Sequence, residues 1–289
     1  MHYEGTVIRP PSEAHSIILQ VTVGCSHNKC TFCGAYKDTR FRIKDEEIID
    51  ADIDFAARYC KRQNRVFLAD GDVLILPQPR LVGLLQKISA QLPWVNRVSL
   101  YGNARSINSK NTEQLKELRE LGLDRIFMGL ESGHDPTLEK IRKGSDSRAM
   151  IRAANRVGAA DIFLSVTVLL GIAGDAHSLE HAEATGRVLT AMQPNQIAVL
   201  TLMLLENTPL YRSFQAGRFT FPSRDGLFRE LRTMVENIDL DRVQFQANHA
   251  SNYLPINARL RRDKDMILGH IDEALAGGVA LVPESCRAL

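Results

Sequence analysis

The sequence predicts an α/β fold, a partial (β/α)6 TIM-like barrel with a C-terminal helical or irregular cap. Two observations predict it. Six runs, at 16–23, 65–69, 97–102, 125–130, 163–170 and 196–203, are apolar nearly throughout, the pattern of strands buried on both faces of a parallel sheet. Helical patterns at 45–61, 79–91, 111–121, 136–143 and 178–191 alternate with them, as parallel strands need crossovers and those crossovers are right-handed. A closed eight-fold barrel requires two more strands, and after residue 203 no run of comparable strength follows.

From residue 208 the character changes. Segments 211–217, 225–238 and 264–275 read as helices, while 244–256 is polar, contains aromatic residues and reads as irregular. No Pro/Ser-rich linker sets this part off. Residues 1–210 are therefore read as the barrel core and 211–289 as an extension packed on the same domain.

Composition narrows the function. The 289 residues, 44% hydrophobic and 24% charged, suffice for a buried core without disulfides. A net charge of +2 gives no electrostatic footprint for nucleic acid, which is not an expected partner. No stretch approaches the ~20 apolar residues of a membrane span, so none is expected at a membrane. The first eleven residues lack the apolar run of a leader, and the five cysteines are odd in number. Together these point to a reducing cytoplasm, where clustered thiols are more often metal ligands than disulfides.

In parallel α/β folds the working site lies at the carboxyl ends of the strands. Directly after the first run comes Gly24-Cys25-Ser26-His27-Asn28-Lys29-Cys30-Thr31-Phe32-Cys33-Gly34, three cysteines spaced Cys-x4-Cys-x2-Cys. Three thiolates on one short loop can hold three irons of a cubane cluster and leave the fourth open for chemistry. Two other readings stand beside it: a zinc site with His27 as fourth ligand, and three small buried hydrophobes. Cys60 lies in a helical pattern and reads as structural; Cys286 lies in the C-terminal tail.

The loop, its place after the first strand and the aromatic Phe32 before the third cysteine resemble the radical S-adenosylmethionine (radical SAM) superfamily. The family's usual spacing is Cys-x3-Cys-x-aromatic-Cys, and this chain has one residue more between the first two cysteines. Further positions match in strand order. Asp70-Gly71-Asp72 resembles the Gly-Gly-Glu stretch that holds the amino group of S-adenosylmethionine, with Asp72 in the place of the acid. Tyr101-Gly102-Asn103-Ala104-Arg105 brings a guanidinium suited to a carboxylate. Gly129-Leu130-Glu131-Ser132-Gly133 resembles the polar turn at the ribose or methionine end, and Leu170-Gly171-Ile172-Ala173-Gly174 the stretch beside the adenine. Leu205-Glu206-Asn207-Thr208-Pro209-Leu210 is similar to members related to oxygen-independent coproporphyrinogen dehydrogenase. Taken singly, Asp70-Gly71-Asp72 also suits an ordinary turn, Glu131 a helix cap and Arg105 a surface position.

The resemblance implies a [4Fe–4S] cluster on Cys25, Cys30 and Cys33, and a cofactor site of Phe32, Asp70, Gly71, Asp72, Arg105, Glu131, Ser132 and Gly171. It implies one-electron cleavage of S-adenosylmethionine to a 5′-deoxyadenosyl radical that abstracts hydrogen from a small-molecule substrate. A low-potential donor such as flavodoxin or ferredoxin is the implied partner, with Lys29, Lys37, Arg40 and Arg42 as a basic face toward it. Tyr36, just past the loop, and His249, within the polar segment 246–253, are the candidate catalytic side chains. The competing class is a non-catalytic zinc or iron–sulfur protein using the same three cysteines.

Overall fold

In the computed structural model, which describes residues 1–288, the chain divides into two compact units. The first takes Met1–Asn28, Ala35–Met128 and Ala153–Leu164; the second takes Lys29–Gly34, Gly129–Arg152 and the residues from Ser165 on. No helix among the described residues is long and apolar enough to cross a membrane.

The first unit runs β1 (Ile17–Gln20), β2 (Thr22–Val23), β3 (Arg42–Ile43), α1 (Glu46–Tyr59), β4 (Arg65–Ala69), α2 (Gln78–Gln91), β5 (Arg97–Tyr101), α3 (Ala104–Asn108), α4 (Thr112–Glu120) and most of β6 (Leu123–Glu131). Strands β1, β4, β5 and β6 pair in that order, all parallel. Their register lines up Leu19 with Leu68, Leu68 with Leu100 and Leu100 with Ile126, so one row of apolar side chains crosses the sheet. On the opposite face Phe67, Tyr101 and Phe127 meet edge to face, with ring centroids 5.2, 6.2 and 6.0 Å apart. Val7, Ile18 and Ala69 complete that cluster. The expected first strand breaks at Val21: β1 stays in the sheet, while β2 turns to pair antiparallel with β3. That pairing ties the chain just before the cysteine loop to the chain just after it.

The second unit contains α5 (Asp135–Lys140), α6 (Ser147–Ala159, from its start to Arg152), β7 (Phe163–Leu170, from Ser165), α7 (Ser178–Met192), β8 (Gln196–Thr201), α8 (Pro209–Gln215), α9 (Arg224–Glu236), β9 (Val243–Gln246), β10 (Asn257–Leu260) and α10 (Lys264–Leu275). β7, β8 and β9 are parallel, and β10 closes antiparallel on β9. Helices α7 and α9 pack directly. A Cβ at Gly186 of α7 would lie 2.6 Å from Asn237 Cβ and 2.7 Å from Met234 O, so only glycine permits this approach.

All six expected strands form, and 244–256 is irregular as expected except at its start. Its first three residues belong to β9, where Val243 and Phe245 are buried while Gln244 and Gln246 are half-exposed. Such short alternating strands lack the continuous apolar run of the inner strands. The sequence reading also passed over α6. Met150, Ala153, Ala154 and Val157 form its buried stripe, but small alanines among arginines give it little apolar contrast.

Phe67 is fully buried at the centre of the aromatic cluster. Phe67→Ala should lower stability by about 3–5 kcal/mol, read as a drop in urea midpoint at unchanged m-value; a midpoint equal to wild type would remove the cluster from the core.

Candidate cluster and cofactor site

Cys25 belongs to the first unit and follows β2 and Gly24; Cys30 and Cys33 belong to the second. All three are partly exposed. In the second unit the short span between Cys30 and Cys33 is held from both sides. The Thr31 amide donates to Ile141 O at 2.9 Å, and the Leu210 amide donates to Thr31 O at 2.9 Å. Phe32 packs on the buried cluster of Leu138, Ile141, Leu169, Ile172, Leu202 and Leu210. Asn207 Nδ2 donates to Gly34 O at 3.0 Å, and a Cβ on Gly34 would fall 2.3 Å from Asn207 Oδ1. Phe32 is thus a packing anchor that leaves the flanking thiols at the surface of the unit.

Around Cys25 the grip comes from the turn after β4. Asp70 Oδ2 accepts from Gln20 Nε2 at 2.9 Å and from the Gly24 amide at 3.2 Å, and the Tyr36 hydroxyl donates to Oδ1 at 3.3 Å. Asp72 Oδ2 accepts from Ser26 Oγ at 2.5 Å and from Asn103 Nδ2 at 2.7 Å. The Gly71 amide donates to Gly24 O at 3.2 Å. Both residues flanking Cys25 are therefore bonded to Asp70-Gly71-Asp72. Gly71 is required for closeness: a Cβ there would lie 3.0 Å from Cys25 Cβ and 3.1 Å from the Tyr36 ring.

Both carboxyl groups are buried, and burial pushes their pKa values up, with the surrounding donors pulling the other way. Asp72 Oδ1 is buried and accepts no hydrogen bond. A carboxyl oxygen enclosed without a donor suits an ammonium ligand. Tyr36, expected to line a cavity, is 8% exposed, and its phenol pKa is raised by burial and then by Asp70. It remains protonated and braces Asp70.

Three thiols and no carboxylate make a soft donor set, suited to iron–sulfur ligation. Thiolates such as those of Cys25, Cys30 and Cys33 are the donor chemistry that an iron–sulfur cluster takes, and in that respect the residues present fit it.

The remaining site candidates sit at strand ends. Arg105 is exposed in the first turn of α3, where the Asn103 side chain caps the Arg105 and Ser106 amides. Glu131 ends β6 with φ of +65°, a left-handed conformation unfavourable for a non-glycine residue. Its carboxylate pairs with Lys143 Nζ at 2.8 Å and caps no helix. A Cβ at Gly129 would lie 2.1 Å from Glu131 Oε1. Ser132 Oγ lies 2.7 Å from His181 Nδ1, and the Gly171 amide, at φ +80°, donates to Glu230 Oε1 at 2.7 Å.

In the polar segment, Ser251 and Asn252 are turned inward. Ser251 Oγ accepts from the Thr201 amide; Asn252 bonds Thr201 Oγ1, Val199 O and Ala247 O. His249 is half-buried. Its Nδ1 accepts from the Ser251 amide at 3.1 Å and lies 3.0 Å from Ser251 Oγ, which leaves the ring proton on Nε2. Burial holds its pKa below the usual histidine value. Cys60 caps the end of α1, and burial raises its thiol pKa.

Sequence reasoning passed over Gln20, Ser26, Lys143, His181 and Glu230. For Glu230 a signal existed: it interrupts the apolar stripe of α9, among buried Leu227, Phe228, Leu231 and Met234. Lys143 and Gln20 carry no local mark, because their partners lie at Glu131 and Asp70.

The radical SAM superfamily model matches residues 19–184, more than half of the chain. The heme chaperone HemW of Bacillus subtilis is 24% identical over 163 residues, 55% of this chain and 42% of that protein. The chain thus spans less than half the length of that relative. An uncharacterized protein of Methanocaldococcus jannaschii is 23% identical over 258 residues, covering 86% of this chain and 75% of its own. Among solved structures, methylornithine synthase gives a TM-score of 0.56 at 16% identity, covering 88% of this chain and 68% of that one. The radical S-adenosylmethionine methyltransferase TsrM of Kitasatospora setae, solved with cobalamin and a [4Fe–4S] cluster, gives 0.54 at 17% identity, covering 71% and 41%. These likenesses show the fold: α/β, with the mostly parallel sheet of a partial barrel.

Two measurements test the geometry. Gly71→Ala should lower iron content after reconstitution without unfolding the chain, since the added Cβ presses on Cys25; full iron loading would show that the close approach is unimportant. For His249, NMR should find the Nε2–H tautomer and a titration midpoint below about 6.5. A midpoint above that value would contradict the buried, Nδ1-accepting ring. The match over residues 19–184 takes in Cys25, Cys30, Cys33 and the Asp70-Gly71-Asp72 turn that holds the first of them: the chain belongs to the radical SAM superfamily, whose members work with a [4Fe–4S] cluster and S-adenosylmethionine.

Proposed function

We propose that Cys25, Cys30 and Cys33 ligate three irons of the [4Fe–4S] cluster, and that the enzyme removes hydrogen from a small-molecule substrate. The observation that carries this reading is the hold of Asp70, Gly71 and Asp72 on both neighbours of Cys25, which fixes one thiol where a mobile loop would not. When bound, the cluster and S-adenosylmethionine supply one-electron cleavage to a 5′-deoxyadenosyl radical and abstraction of substrate hydrogen.

The chain's own residues bind, orient and exclude water. Asp72 Oδ1, enclosed and without a donor, receives the amino group of S-adenosylmethionine, and Arg105 its carboxylate. Asp70 and Tyr36 hold the turn beneath. Glu131 and Ser132 border the ribose or methionine end and Gly171 the adenine, with the left-handed backbone at Glu131 and Gly171 marking turns specified by their surroundings. Phe32 seals the loop against apolar core. Neutral His249 offers an Nε2–H donor to the substrate.

A flavodoxin or ferredoxin supplies the electron, with exposed Lys29, Arg40 and Arg42 and partly exposed Lys37 as the basic face toward it. Cysteine usage supports a cytoplasmic setting. Residues 211–289 extend the core built from 1–210, a reading supported by β9 pairing parallel with β8.

The test is anaerobic reconstitution with iron and sulfide, reduction with dithionite and assay of 5′-deoxyadenosine. Wild type should form it, and Cys25→Ala, Cys30→Ala and Cys33→Ala should each lose the cluster colour and the product. A colourless wild-type protein with stoichiometric zinc would sink the proposal. Coproporphyrinogen is the first substrate to try, because 205–210 is similar to that branch and HemW is a relative; no consumption of it would remove the tetrapyrrole class and leave the cofactor chemistry intact.

A further inference from the structure

Three fully buried side chains, Ser132, His181 and Glu230, form a connected set within the second unit. Ser132 Oγ accepts the His134 amide at 3.0 Å and lies 2.7 Å from His181 Nδ1, so its hydroxyl proton points to that nitrogen. The ring proton then sits on Nε2, which lies 3.4 Å from Glu230 Oε1 as a charge contact without a hydrogen bond. Glu230 also accepts from the Gly171 amide at 2.7 Å and from Ser178 Oγ. Thr185 Oγ1, one turn along α7, accepts the Gly133 amide at 2.8 Å and donates to His181 O at 2.6 Å.

The composition is that of a hydrolytic Ser-His-acid triad, but all three side chains are 0% exposed, so no acyl substrate reaches the serine. The connections lead elsewhere. Ser132 and Gly133 follow β6, Gly171 follows β7, His181 and Thr185 belong to α7, and Glu230 to α9. A buried carboxylate and imidazole are expensive to desolvate, and here both are committed to two strand ends. The turn cannot slide on α7 either: a Cβ at Gly133 would lie 2.6 Å from Ala184 O and Thr185 Cα.

We propose that His181 and Glu230 are positioning residues for S-adenosylmethionine. They touch no ligand; they set the spacing between Ser132 and Gly171, so that one rigid element carries both edges of the nucleoside cradle. This rests on the reading above that Ser132 and Gly171 border the bound molecule, taken for the backbone of the two turns because the Ser132 side chain is fully enclosed.

The experiment compares His181→Asn, Glu230→Gln, Ser132→Ala and the double variant His181→Asn/Ser132→Ala in anaerobically reconstituted protein. Affinity for S-adenosylmethionine is measured by equilibrium dialysis. EPR of the reduced cluster with and without the ligand, and thermal unfolding, are recorded alongside. Each single variant should load a cluster whose ligand-free EPR signal equals wild type, yet bind S-adenosylmethionine about tenfold more weakly, with the double variant no weaker than the singles. Glu230→Gln keeps the volume of the side chain and removes its charge, and serves if the asparagine variant fails to fold. A lowered melting temperature with wild-type affinity in His181→Asn and Glu230→Gln, while Ser132→Ala binds weakly, would make the set merely structural and overturn the proposal. Wild-type affinity in all variants, Ser132→Ala included, would overturn the placement of the ligand at Ser132 as well.

Discussion

The hydrogen bonds from Gly24 and Ser26 to the carboxylates of Asp70 and Asp72 are the constraint on which the site depends. A cysteine loop that leaves a strand end has many conformations, and fixing it opposes chain entropy of about 1–2 kcal/mol per residue. Hydrogen bonds to charged acceptors, about 1.5–3 kcal/mol each, are among the stronger local opponents of that entropy. Their burial in the turn after β4 makes them directional, since neither carboxylate has water as an alternative partner. Gly71 belongs to the same device, because any side chain there would hold the turn away from Cys25.

The second unit secures its part of the loop by different physics. Phe32 packs on aliphatic core, and Thr31 bonds backbone at Ile141 and Leu210, so apolar burial and amide pairing replace charge. In that unit charge is used at the strand ends instead. Glu131 is held by Lys143, and Gly171 by Glu230, both in conformations with positive φ. Buried ion pairs contribute little net stability, but they penalise every alternative arrangement, which suits turns that must hold one shape.

Much of this was legible in the sequence, and the rest was not, for reasons that individual residues make plain. Continuous apolar runs mark β4, β7 and β8 because both faces of an inner parallel strand are covered. β9 escaped since half of its residues meet solvent. The cysteine loop and Asp70-Gly71-Asp72 stood out by composition and by their place after strands. Which oxygen of Asp72 bonds Ser26 and which stays without a donor depends on Asn103, more than thirty residues away. Tyr36 looked available from its neighbourhood in sequence, yet its phenol faces Asp70.

By itself the sequence determined the α/β class, the order of the six inner strands, the three thiols and the polar turns that follow the strands, because these follow from local periodicity and residue chemistry. Tertiary structure alone decided how each polar side chain is used: Asp70 as a clamp, Glu131 as the partner of Lys143, Glu230 as the acceptor for Gly171, His249 as an Nε2–H donor. The reason is that hydrogen-bond partnership is a property of distance in space, and the partners here are brought together by helices and strands far apart along the chain.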